Sequence, residues 1–225
     1  MVTKGIESRM GNAIAQAGLI YDELPMDASA DEDLVAACKA GDEAAFRSLY
    51  VNHRSEVHRI VFRMLGPTSD LEDVIQDVFL QVHRSIGGFR GTSKFSTWLH
   101  RVAVNVTLQH LRRKKTTPQS HTDERLEERK AADHESPKTP HDEAETQDRL
   151  AAVYRTLDQL SPKKRAVLVM HDMQGMSAQE IADVVGSPVF TVRTRLFYAR
   201  REFYKKIVSD PAFAGDISES VLSRK

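Results

Sequence analysis

The chain has 225 residues, and its 32 basic side chains are matched by 32 acidic ones, for a formal net charge of zero. A hydrophobic share of 40% supports one domain or two small ones rather than a single large core. No run of eighteen apolar residues occurs, which argues against a membrane span, and the single Cys38 excludes an internal disulfide.

The residues before Pro25 hold no apolar stretch long enough for a signal peptide, so a cytoplasmic, reducing location is expected. Net neutrality hides segregation. Residues 1–50 and residues 116–145 each hold nine acids against four bases. Residues 84–115 carry eight Lys or Arg and no acid, with Phe89, Phe95 and Trp98 interleaved. Residues 186–207 hold six bases against one acid, Glu202. Two basic segments separated by an acidic one suit two nucleic-acid contacts joined by a spacer that avoids phosphate.

In chain order, residues 1–30 show no sustained period and are expected to be a flexible extension, with Ala13 to Tyr21 able to form a helix on a partner. Helical spacing begins near Asp31 with Leu34, Val35 and Cys38 and is punctuated at Gly41-Asp42. It resumes through Leu49, Val57, Ile60, Val61 and Met64 and stops at Gly66-Pro67. Leu71, Val74, Ile75, Val78, Phe79 and Val82 then form a full apolar stripe, with Ser69 or Asp70 able to cap the helix. Its opposite face carries Asp73, Gln76 and Asp77, either a solvated acidic face or a dock for a basic partner. Gly87-Gly88 ends it, and a further helix runs from Trp98 into Arg112–Lys115, with Val102, Val106 and Leu111 as core positions.

Residues 116–145 contain three prolines and almost no large apolar residue, the composition of a flexible acidic linker. Beyond it, Leu150, Val153, Leu157 and Leu160 mark a helix. Ser161-Pro162 starts another, ending near Gly175. Ser177 and Glu180 form a capping box, and Ser187-Pro188 starts the last helix, with Val192 and Leu196 inward. No segment alternates as a strand. The fold expected is all-α: two small helical domains, the second a helix-turn-helix, joined by a flexible linker.

The last helix offers Arg193, Thr194, Arg195, Phe197, Arg200 and Arg201, and Ser187 at its start can approach a phosphate. The 84–115 segment fits partly single-stranded nucleic acid, or an amphipathic helix with a solvated basic face. The nine histidines are scattered without HExxH or CxxC, no Gly-rich phosphate loop occurs, and His53 and His58 lack a carboxylate at ligand spacing. No enzyme activity and no metal or other cofactor are expected.

DLEDVIQDVFLQVHR followed by FRGTSKFSTWLHRVAVNVTLQHLRRKK resembles the second conserved region of extracytoplasmic-function sigma factors of bacterial RNA polymerase. LDQLSPKKRAVLVMHDMQGMSAQEIADVVGSPVFTVRTRLFYARREF resembles their fourth. The resemblance implies a region 2 domain over 31–115, a linker over 116–145, a region 4 domain over 146–208 and a tail over 209–225. It implies that Asp73, Gln76 and Asp77 dock on the clamp helices of the polymerase largest subunit. Phe89, Ser93, Lys94 and Asn105 would bind an extruded base of the −10 element, with Trp98 a wedge or a core residue. Arg101, Arg112, Arg113, Lys114 and Lys115 would neutralise promoter phosphates. Ser187, Arg193, Thr194, Arg195, Phe197, Arg200 and Arg201 would read the −35 duplex, and the second domain would also bind the flap of the β subunit. An anti-sigma factor is a further implied partner.

Three positions depart from the family pattern. Phe190 stands where Gly is usual, Tyr198 where a basic residue is common, and Ser161 where Pro is frequent. The competing reading is a stand-alone helix-turn-helix regulator whose first block senses a signal or dimerises.

Overall fold

The computed structural model describes residues 28–116 and 140–213, with side chains over 31–115 and 146–213. The expected extension up to residue 27, the linker between 117 and 139, and the tail beyond 213 lie outside the described residues. The described residues form eight helices and no strand, the all-α architecture expected, and the chain divides into two compact units. No helix among the described residues is long and apolar enough to cross a membrane.

The first unit holds α1 (Ala28–Lys39), α2 (Glu43–Leu65), α3 (Leu71–Ser85) and α4 (Phe95–Thr116). The Asp42 carboxylate accepts the backbone N–H groups of Ala44 at 2.8 Å and Ala45 at 3.1 Å, which satisfies two orphan donors at the start of α2. Gly66 ends α2 at φ 76°, a left-handed conformation that favours glycine. On α3 five of the six stripe positions, Val74, Ile75, Val78, Phe79 and Val82, are buried, and Leu71 in the first turn is half-buried. Their burial contributes on the order of 10 kcal/mol before chain entropy is charged.

Two local expectations need correction. Asp70 precedes α3 but makes no side-chain cap bond; its carboxylate instead reaches α4, accepting from Lys114 at 3.0 Å and pairing with His110 at 3.3 Å. On α4 the buried positions are Phe95, Leu99, Ala103, Val104, Thr107, Leu108 and Leu111, while Val102 and Val106 are only half-buried. Small Ala103 and Thr107 lie in the packed face, and the Thr107 hydroxyl is satisfied by donating to the Ala103 carbonyl at 2.8 Å.

His53 is fully buried between two carboxylates, Asp31 of α1 at 2.9 Å and Glu56 at 3.2 Å, so it does have the carboxylate partners that its spacing to His58 concealed. Burial alone would lower its pKa. The hydrogen bonds to Glu56 and Asp31 outweigh that and raise it above the ordinary histidine value, which ties α1 to α2 by charge as well as packing.

The second unit holds α5 (Pro140–Asp158), α6 (Pro162–Leu168), the start of α7 (Ala178–Val185) and α8 (Val189–Ile207). α5 begins at Pro140, within the segment whose composition reads as linker, and a proline suits a first helical position. α6 widens into a π-helical turn over Val169–Met173, closed by Gly175 at φ 69° with the Met176 N–H donating to the Met170 carbonyl at 3.0 Å. Ser161 occupies the cap position before α6 but makes no side-chain cap bond, and before α8 the cap position falls on Pro188 rather than Ser187. The Ser177–Glu180 capping box forms in both directions, at 2.7 Å and 3.3 Å. Residues just past 208 also pack: Phe213 is buried, and Asp210 accepts from Arg155 at 3.0 Å.

Candidate nucleic-acid interface

In the first unit the residues expected to meet single-stranded nucleic acid gather around the α3–α4 connection. After α3 a short 3-10 turn, Ile86–Gly88, leads into a loop that Gly91 turns at φ 70° before α4 begins. The loop delivers Phe89 onto two aromatics of the first turn of α4. Its ring centroid lies 5.8 Å from Phe95, edge to face, and 5.4 Å from Trp98, and Phe95 and Trp98 are 5.6 Å apart. Phe95 is buried, whereas Phe89 and Trp98 are half-buried, so Trp98 is at once part of the cluster and open on one side. Such a surface can stack a base while its far side is braced.

The brace comes from α1. The Lys39 ammonium donates to the Phe89 carbonyl at 2.7 Å and stands 5.5 Å from the centroid of the Phe89 ring. Lys39 carries no signal in the sequence, because its partner lies fifty residues away. Ser93 and Lys94 are exposed in the loop. Arg101, Asn105 and Arg112 follow Trp98 at i+3, i+7 and i+14, all exposed and on one side of α4. Arg113 and Lys115 are exposed at its end. Lys114 is there too, but its ammonium is engaged by Asp70. Burial works against ionising Asp70, yet Lys114 and His110 outweigh it and hold the carboxyl below its ordinary pKa.

On α3 the face opposite the core presents Asp73, Gln76 and Asp77, all exposed. Leu80 stands among them at i+7 from Asp73 and keeps 46% of its surface in water. It interrupts an otherwise polar face, a signal present in the sequence but masked by the stronger stripe behind it.

Later in the chain α7, the turn at Gly186 (φ 61°) and α8, consecutive in sequence, make the helix-turn-helix. Val192, Leu196, Ala199, Phe203 and Ile207 bury one side of α8. The other side exposes Phe190, Arg193, Thr194, Phe197 and Arg201, spaced i, i+3, i+4, i+7 and i+11. Phe190 is 79% exposed, Phe197 52% and Tyr198 51%, with the last two rings meeting edge to face at 5.4 Å. Arg195 and Ser187 are half-buried.

Arg200 is placed differently from its predicted neighbours. Its Nε donates to Asp172 Oδ2 at 3.1 Å, and its Nη2 binds Asp172 Oδ1 and lies 3.1 Å from His171 Nδ1. Burial would raise the pKa of Asp172, but His171 and Arg200 outweigh it and lower it. Arg200 therefore clamps α8 to the π-helical turn. The one acid of the segment, Glu202, accepts from Lys164 at 2.7 Å.

Both halves of the chain match known families. Residues 49–117 match sigma-70 region 2, and residues 150–203 match sigma-70 region 4. The RNA polymerase sigma-H factor of Pseudomonas aeruginosa is 34% identical over 185 residues, covering 79% of this chain and 93% of that protein. The ECF RNA polymerase sigma-E factor of Escherichia coli is 32% identical over 183 residues, covering 79% and 94%. Among solved structures, CnrH in complex with the cytosolic domain of CnrY superposes with a TM-score of 0.55 at 26% identity, over 80% of this chain and 99% of that one. The sigma factor RpoE of Bartonella quintana, in complex with the anti-sigma factor NepR, shares the fold with a TM-score of 0.51 at 18% identity, over 73% and 98%. This chain belongs to the sigma-70 family, as a member of its extracytoplasmic-function group.

Proposed function

We propose that this protein, a promoter-specificity factor of RNA polymerase, divides its task between its two units. Residues 31–115 form the domain that docks on the largest-subunit clamp helices through Asp73, Gln76 and Asp77, with Leu80 as an apolar anchor among them. The same domain captures one strand of the −10 element. Phe89 and Trp98 supply stacking surface, Ser93, Lys94 and Asn105 the polar contacts to an extruded base, and Arg101, Arg112, Arg113 and Lys115 the phosphate neutralisation. Lys114 belongs to the same set and shares its charge with Asp70.

The second domain, assigned to residues 146–208 and extended here to 140–213, reads the −35 duplex through Arg193, Thr194, Phe197 and Arg201, with Ser187 and Arg195 at its margin. Arg200 is left out of the reading set and given a structural role. The second domain also binds the β flap. The linker between them works as a spacer, and residues 1–30 and the far tail have no assigned task.

The observation that carries this reading is the acid-free 84–115 surface, with its half-buried aromatic cluster, in the same chain as a basic helix-turn-helix. A regulator that only binds duplex operators has no use for the first. RNA synthesis itself stays with the polymerase, and the factor works in the cytoplasm. An anti-sigma protein is a further partner, in keeping with the CnrH neighbour, which is seen in complex with the cytosolic domain of CnrY.

The test is to mix the purified chain with core polymerase and promoter DNA. Asn105→Ala is expected to lower open-complex formation about tenfold or more with core binding unchanged, and Asp77→Lys to weaken core binding first. A chain that binds duplex operators alone and never associates with core enzyme refutes the reading.

A further inference from the structure

We propose that Phe190 is a specificity-determining residue whose ring reads the 5-methyl group of a thymine in the major groove of the upstream promoter element. The proposal rests on the reading of α8 as the DNA-reading helix and goes beyond it. Phe190 is the most exposed large apolar side chain among the described residues, at 79%. A single exposed ring is ordinary, but Phe197 and Tyr198 of the same helix are also more than half exposed, and several large rings displayed on one helix mark a surface that something covers.

Its position says which cover. Phe190 is the second residue of α8, and the N-terminal residues of such a helix are the ones that meet base edges. It shares one face with Arg193, Thr194 and Phe197. The residues from 186 to 207 hold six bases and a single acid, and that acid is paired with Lys164. On the outward side of α8 itself Arg193 and Arg201 stand exposed with no acid among them, a charge that suits a polyanion and disfavours a basic protein partner.

The chemistry of the ring then narrows the target. Phe has no hydrogen-bond donor or acceptor, so it cannot read guanine, cytosine or adenine by their polar edges. Thymine alone presents an apolar group in the major groove, its 5-methyl. Arg193 lies one helical turn further, about 4.5 Å along the axis, which is roughly one base-pair step. Its fork suits guanine O6 and N7. The selected element should therefore hold a thymine about one or two base pairs from a guanine. A residue without a side chain at position 190 would leave that thymine unread.

The experiment uses holoenzyme made from the full chain and core polymerase, with duplex libraries randomised over the upstream element. The wild-type chain is expected to select a thymine beside a guanine. Replacing that thymine by deoxyuridine, which removes only the methyl, is expected to lower affinity about fourfold to tenfold. Phe190→Ala should bind the thymine and deoxyuridine duplexes equally while keeping the guanine preference and core binding, and Phe190→Leu should keep part of the discrimination. Discrimination that survives in Phe190→Ala overturns the proposal and leaves the reading of α8 intact. Loss of core binding with discrimination unchanged assigns the ring to a protein partner and also overturns it. A wild-type chain that binds core yet selects no upstream element overturns the reading of α8, and the proposal with it.

Discussion

Replacing Asp172 by alanine should unlock α8 without touching its exposed face. The Asp172 side chain is 7% exposed and that of Arg200 18%, and the two are joined in bidentate fashion with His171 alongside. Removing one partner of a buried ion pair costs about 3–5 kcal/mol, because the remaining charge stays desolvated. Arg200 reaches water in part, which places Asp172→Ala near the lower end, at about 3 kcal/mol. For a domain of roughly 70 residues this amounts to about 12–24 °C in its unfolding temperature. Hydrogen exchange of α6 and α8 amides in the full chain reads the second unit separately. The effect carries a pH signature. The Asp172 carboxyl ionises at lower pH in the folded chain than in the unfolded one, so its stabilisation is complete above about pH 4 and fades as pH falls through the folded value. Arg200→Ala separates clamp from DNA contact: a phosphate-binding arginine would lower the salt slope of promoter binding by about one, and a clamp leaves it unchanged. A cost for Asp172→Ala below about 1 kcal/mol, or a reduced salt slope for Arg200→Ala measured below its unfolding temperature, refutes the reasoning.

Two further outcomes follow from the first unit. Because the His53 pKa is raised on folding, its contribution is complete below about pH 6.5 and fades as pH rises through the folded value, so α1 amides should lose exchange protection as pH rises above about 6.5. Asp31→Asn should flatten that dependence, and an unchanged profile would mean that His53 does not hold α1 by charge. Lys39→Met keeps the aliphatic stem but removes the donor to the Phe89 carbonyl. It should reduce promoter melting about threefold to tenfold, read by a fluorescent base in the −10 strand, with core binding intact; unaltered melting would remove Lys39 from the site.

What was legible in the chain was local. The α3 stripe is made of large apolar residues at helical spacing, and the Ser177–Glu180 box closes within a single turn, so residue type and spacing suffice for both. The buried face of α4 was misjudged because Ala103 and Thr107 carry little hydrophobic signal, yet their small size suits close packing. The start of α5 was hidden because an acidic, proline-bearing first turn has the same composition as a linker. The candidate site was legible as residue types and not as allegiances. Arg200, Lys114 and Phe89 each find a partner at least 28 residues away, in Asp172, Asp70 and Lys39, and no spacing rule links them. Those partners decide how each side chain is held.

The two sides of α8 bear on how such factors diverge. The residues that hold the helix in place, from Val192 to Ile207 on one side with Arg200 and Asp172 at its flank, share no position with the outward set of Phe190, Arg193, Thr194 and Phe197. Duplicated copies of this gene could therefore exchange one outward side chain at a time and acquire new target sites without passing through an unfolded ancestor.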